Sequence, residues 1–115
     1  MDITLREENK ITTVKLDGDF ESQSANEFKI LVSDLINTQH QKIILDFYAV
    51  KFMTSSALKT LLLLLDDAAL HHCKIVVCEL NSYVNNLFEK MGLKKEFRIF
   101  PTRREAMKFF QSRDR

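Results

Sequence analysis

Residues 43–70, IILDFYAVKFMTSSALKTLLLLLDDAAL, decide how the chain is to be folded. With Lys42 in front, KIILDF is a continuous apolar run of strand length, the pattern of a strand buried on both faces. The second half reads as a helix. Leu58, Leu61, Leu62, Leu65 and Ala69 recur at helical spacing and form one stripe broad enough to cover a sheet. A doubly buried strand running into such a helix implies parallel pairing through a crossover. Three consecutive hydroxyl residues, Thr54, Ser55 and Ser56, stand at the junction. One of them can cap the helix, worth about 1 kcal/mol. That leaves two without a role.

The flanking sequence carries the same alternation. DITLREEN and ITTVKLDGD suggest an N-terminal antiparallel pair, with Ile11, Thr13, Lys15 and Asp17 on one side and Thr12, Val14 and Leu16 on the other. Gly18 ends that strand and frees the backbone to turn. In ESQSANEFKILVSDLI, Ser24 with Glu27 fits a capping box, followed by Phe28, Leu31, Val32 and Leu35 on one face. CKIVVCEL is another buried strand. NSYVNNLFEKMGL is a third helix, with Val84, Leu87, Phe88 and Met91 in phase and Gly92 placed to stop it. FRIF is a short last strand; Pro101 ends it, and Thr102 with Glu105 opens a final helix. The expected order is β-β-α-β-α-β-α-β-α, an α/β fold. It has a mostly parallel central sheet of about four to five strands, an antiparallel N-terminal strand and four helices.

Composition narrows the function. The 115 residues suit one domain spanning 1–115, and a net charge of +1 gives no global pull toward nucleic acid or an anionic membrane. The Arg103–Arg104 pair and the tail Arg113–Arg115 read as solvated helix-end charge. MDITLREENK lacks the apolar core of a signal peptide, and Leu61–Leu65 falls well short of the ~20 apolar residues of a membrane span. Cys73 and Cys78 lie an odd number of positions apart in a strand, hence on opposite faces and on the order of 16 Å apart, too far for a disulfide. Reduced thiols point to the cytoplasm.

Catalytic chemistry finds little to use. His71, His72 and Cys73 are adjacent at a helix-to-strand junction, so they do not converge on a tetrahedral ion, and His40 stands alone in a turn. No metal or cofactor is expected. There is no nucleophile elbow around Ser55, no phosphate loop and no dinucleotide fingerprint. No enzyme is expected either. At ~100° per residue Ser55, Lys59, Leu63 and Asp66 fall on an outward stripe, with Ser56, Thr60 and Asp67 beside it. A phosphate on Ser55 would sit by the unpaired amides of the helix N-terminus, with Lys59 one turn away. A phosphoacceptor role for Asp46 would want a chain opening strand-helix, and this chain opens with two strands.

Four segments together resemble the STAS domain family, the anti-sigma factor antagonists. VKLDGDFESQSA is similar to the family's first signature, a strand ending in L-x-G-E/D with an acidic or polar residue soon after. IILDFYAVKFMTSSALKTLL resembles the second, a buried strand, a short loop and D/S-S-S/A-G-L at a helix start. CKIVVCELNSYVNNLFEKMGL and FRIFPTRREAM resemble the last strand-helix and the closing helix. Two departures stand out: Thr54 where Asp is frequent, and Ala57 where the pattern has Gly.

The resemblance implies a STAS-type single domain that works by binding. Unphosphorylated, such a protein binds an anti-sigma factor that is also a serine kinase of the GHKL type, releasing a sigma factor. Phosphorylation at the start of the second helix breaks the complex, with a phosphatase as an optional further partner. Carried over by position, the phosphorylated residue is Ser55, with Thr54 and Ser56 as lesser candidates. Glu21, Ser22, Asp46, Thr54, Ser55, Ser56, Lys59 and Leu63 are the expected partner-binding residues. No nucleic acid or membrane insertion is expected, and the protein would be a monomer or weak dimer. The alternative is a constitutive scaffold or accessory subunit, stressosome-type or transporter-associated, without phosphorylation.

Overall fold

Five strands form one sheet whose spatial order follows the chain, β1-β2-β3-β4-β5. The computed structural model describes residues 1–112, so the Arg113–Arg115 tail lies outside the described residues. Strands β1 (Asp2–Glu8) and β2 (Ile11–Asp17) pair antiparallel, whereas β3 (Lys42–Ala49), β4 (Lys74–Cys78) and β5 (Arg98–Phe100) continue parallel to β2. The helices are α1 (Ser22–Asn37), α2 (Ser55–Leu70), α3 (Ser82–Lys90) and α4 (Arg103–Ser112). A 3-10 turn at Lys94–Glu96, before β5, is the one described element absent from the expected order.

Because each parallel strand pairs with its sequence neighbour, same-handed crossovers stack α1, α2 and α3 on one face. Their core joins Phe28 and Val32 from α1, Leu58, Leu61 and Leu64 from α2, and Val84 and Phe88 from α3 to Val14, Ile43, Leu45 and Val77 of the sheet. The alternate sheet residues Ile11, Ile44, Val76 and Cys78 face the other way and pack on Ala106 and Phe110 of α4. Strands β3 and β4 are thus buried on both faces, as their unbroken apolar runs require.

Two local readings change. Helix α1 begins at Ser22 with Glu21 as its N-cap, so Ser24 is not the cap. The Ser24 hydroxyl instead accepts from the Glu21 amide at 2.9 Å and donates to the Asp19 carbonyl at 2.9 Å. Phe20 explains the earlier start, since it is fully buried against Phe28 and Phe47 and draws the preceding loop onto the core. On α2 the buried residues are Ala57, Leu58, Leu61, Leu64 and Ala68, while Leu62 and Leu65 are half-buried and Ala69 is exposed. The inward stripe is rotated from the expected one because five consecutive leucines carry no phase.

The C-terminal half follows the expected punctuation. Gly92 adopts φ 68° after α3, and the Leu93 amide returns to the Phe88 carbonyl at 3.0 Å. At α4 the Thr102 hydroxyl accepts from the Glu105 amide at 3.2 Å, forming that half of the box. Cys73 and Cys78 are free, buried and on opposite faces of the sheet. Burial pushes the Cys73 thiol up to about 11. Burial, with the nearby Asp46 and Glu79 carboxylates, pushes Cys78 up to about 12.

Candidate functional site at the N-terminus of α2

The loops leaving β2 and β3 run side by side at one end of the sheet. The Phe20 amide donates to the Phe52 carbonyl at 2.9 Å and the Thr54 amide to the Phe20 carbonyl at 3.0 Å, around a bridge between Phe20 and Met53. The Gly18 amide adds a bond of 3.2 Å to the Ala49 carbonyl. This zipper brings the starts of α1 and α2 together, and the Ser22 hydroxyl donates to Ser56 Oγ at 3.2 Å. Two helix N-termini, each with unpaired amides and a positive dipole end, therefore share one small region.

The hydroxyl triplet divides its work. Thr54, with extended backbone at φ −90° and ψ 159°, is the N-cap and accepts from the Ala57 amide at 3.1 Å. Ser56 is tied to Ser22. Ser55, the first residue of the helix, is exposed, and its hydroxyl makes no hydrogen bond among the described residues. Lys59 lies one turn along and is exposed, and Leu63 beyond it is 63% exposed. Ala57, in contrast, is fully buried in the core. Its methyl group therefore faces the sheet and not an approaching partner, so the departure from glycine places no obstacle on the outer face.

Glu21 and Ser22 are exposed beside this helix start. Asp46 is not brought to it. That residue is 5% exposed, points to the α4 side of the sheet, and its carboxylate accepts from the Tyr48 amide at 2.9 Å, holding the strand end in shape. Buried there, its carboxylate offers no outer surface.

Three features escaped the sequence. Phe52 and Tyr83 stack with ring centroids 5.7 Å apart and stay about half exposed, while Tyr48 is 74% exposed near the end of β3. Asn81 joins two elements: its carbonyl oxygen accepts from the Val84 amide at 2.8 Å, capping α3, and its amide donates to the Val50 carbonyl at 3.2 Å. Asn81 carried a usable signal, an Asn directly before a periodic helical segment. The aromatics carried none, because their exposure depends on how the end of β3, the loop after it and the start of α3 pack together.

A family model for the STAS domain matches residues 2–106. The chain belongs to the STAS domain family. Among solved structures this STAS domain is similar to an anti-sigma factor antagonist from Mycobacterium paratuberculosis, with 18% identity and a TM-score of 0.84 over 93% of this chain and 91% of that one. It is also similar to the phosphorylated form of SpoIIAA, a Bacillus cell fate determinant, with 17% identity and a TM-score of 0.73 over 95% and 99%. A serine-to-glutamate form of RsbS from Moorella thermoacetica gives 14% identity and a TM-score of 0.81 over 97% of each chain. At these identities the likeness is one of fold. No helix among the described residues is long and apolar enough to cross a membrane.

Proposed function

We propose that this STAS domain is an anti-sigma factor antagonist that acts by binding and is switched by phosphorylation of Ser55. Unmodified, it captures an anti-sigma factor with serine kinase activity and so frees a sigma factor. The observation that carries this reading is the division of labour in the triplet. Thr54 supplies the cap and Ser56 pairs with Ser22, leaving Ser55 exposed and unbonded at the head of α2. A phosphate there adds about −1.5 to −2 charges beside the unpaired amides of two helix starts, where its own domain tolerates it. A partner seated on Ser55, Lys59 and Leu63 would have to bury that charge. The complex would dissociate.

Glu21, Ser22 and the Phe52–Tyr83 pair extend the proposed surface on either side, and Asp46 acts by holding the end of β3 through the Tyr48 amide rather than by contact. Cytoplasmic location belongs to the same proposal and is supported by the two unpaired buried thiols. A second reading, a constitutive scaffold or accessory subunit, keeps this surface without a kinase. The exposed aromatic pair and Leu63 favour it, since apolar docking needs no phosphate.

Purified anti-sigma kinases from the same genome separate the two. A complex that survives Ser55→Ala, is lost in Ser55→Asp, and yields phosphate on Ser55 by mass spectrometry supports the switch. Stable binding with Ser55 unmodified in the presence of ATP would replace it with the scaffold.

A further inference from the structure

Among the described residues α4 is the single helix on its face of the sheet, and it packs on β3, β4 and β5. Ile11 of β2 is covered by it, whereas Arg6 and Glu8 of β1 stay exposed on that side. Where the flank of α4 meets the hairpin lies a cavity of about 410 Å³, within the size range of small-molecule sites. Arg6 and Glu8 line it from β1, Thr13 from β2, and Arg103, Arg104 and Lys108 from α4. It lies on the opposite side of the sheet from α2.

The local charge is unlike that of the whole. Four cations and one carboxylate face the cavity in a chain whose net charge is only +1. No ion pair among the described residues engages Arg6, Arg103, Arg104 or Lys108. Arg104 and Lys108 are one turn apart on α4, a spacing at which like charges repel unless something negative lies between them and the solvent. Thr13 sits directly opposite Arg6 in the hairpin register and lines the cavity. Its side chain makes no hydrogen bond among the described residues, which leaves the hydroxyl available to a bound group.

We infer that this cavity is a binding site for a phosphate-type oxyanion, either the free ion or the phosphoryl group of a small metabolite. Arg6 and Arg104 offer planar forks matched to two oxygens of such a group, Lys108 a point charge, and the Thr13 hydroxyl a donor from the floor. Glu8 at the rim disfavours a second anion beside the first.

The test is an NMR titration of the isotope-labelled protein with inorganic phosphate and with glucose 6-phosphate, each against sodium chloride at matched ionic strength. Saturable shifts at the amides of Arg6, Thr13, Arg104 and Lys108 are expected, absent with chloride and lost in an Arg6→Ala/Lys108→Ala variant. Thr13→Val should weaken binding about tenfold, the loss of one hydrogen bond to a charged group, and Thr13→Ser should keep it. Binding of both probes identifies a site for the simple ion, and binding of glucose 6-phosphate alone a site for a phosphorylated metabolite. Linear shifts reproduced by chloride, or binding unchanged in the Arg6→Ala/Lys108→Ala variant, would overturn the assignment. Both substituted side chains are at the surface, so spectral dispersion reports directly that the variant is folded.

Discussion

Thr54 and Ser55 are chemically alike and adjacent, yet the backbone assigns them different tasks. Extended dihedrals at Thr54 turn its hydroxyl back to the Ala57 amide, whereas Ser55 is already helical and points outward. Replacing Thr54 by Ala should therefore cost about 1 kcal/mol, while Ser55→Ala should stay within about 0.5 kcal/mol, both read from urea denaturation midpoints. Equal losses would mean that the cap is shared. The sequence narrowed the triplet to one cap among three, but which residue took it depended on where α2 begins. For Ala57 the sequence identified an unusual residue without showing its direction. Asp46 lay legibly at a strand end, but its face of the sheet followed only from the strand register.

At the scale of elements, strands and helices were legible wherever side-chain period differed from background, and illegible where it did not. Strand β3 alternates between two cores and so reads as uniformly apolar. Helix α2 presents five leucines in succession, which declare a helix and hide its rotation. The structure buries Leu64 and leaves Leu63 63% exposed. Leu64→Ala should thus lose about 2–5 kcal/mol, whereas Leu63→Ala should lie within about 0.5 kcal/mol of the parent and, under the proposed function, weaken partner binding. Denaturation of the two variants checks the phase of the helix, and a pull-down with the kinase checks the surface. Helix α1 shows the complementary failure. Its capping pattern was plausible one turn too late, because the anchor that sets its start, Phe20, lies outside the helix and acts through tertiary packing.

At the scale of the molecule, the buried thiols report on both cores at once. In the unfolded chain each titrates near its ordinary value of 9.0, while in the fold they remain protonated to about 11 and about 12. Between these values the unfolded state holds fewer protons, so stability falls as pH rises. Their contribution is intact below pH 9.0 and is lost progressively toward pH 12, and a Cys73→Ala/Cys78→Ala variant should show a flatter decline over that window in denaturation measurements. Thiol alkylation of the native parent at neutral pH should be slow for the same reason.

The sheet order has a further consequence. Open α/β sheets that reverse their winding leave a crevice where neighbouring crossovers diverge. Here strand order and chain order coincide, so no reversal exists. For a polypeptide emerging from a ribosome the same coincidence means that every new strand meets an edge already laid down. The hairpin comes first, and each later loop closes over one crossover only. Such assembly never has to hold an edge open for a strand still unmade, which shortens the time an unpaired edge is open to other chains.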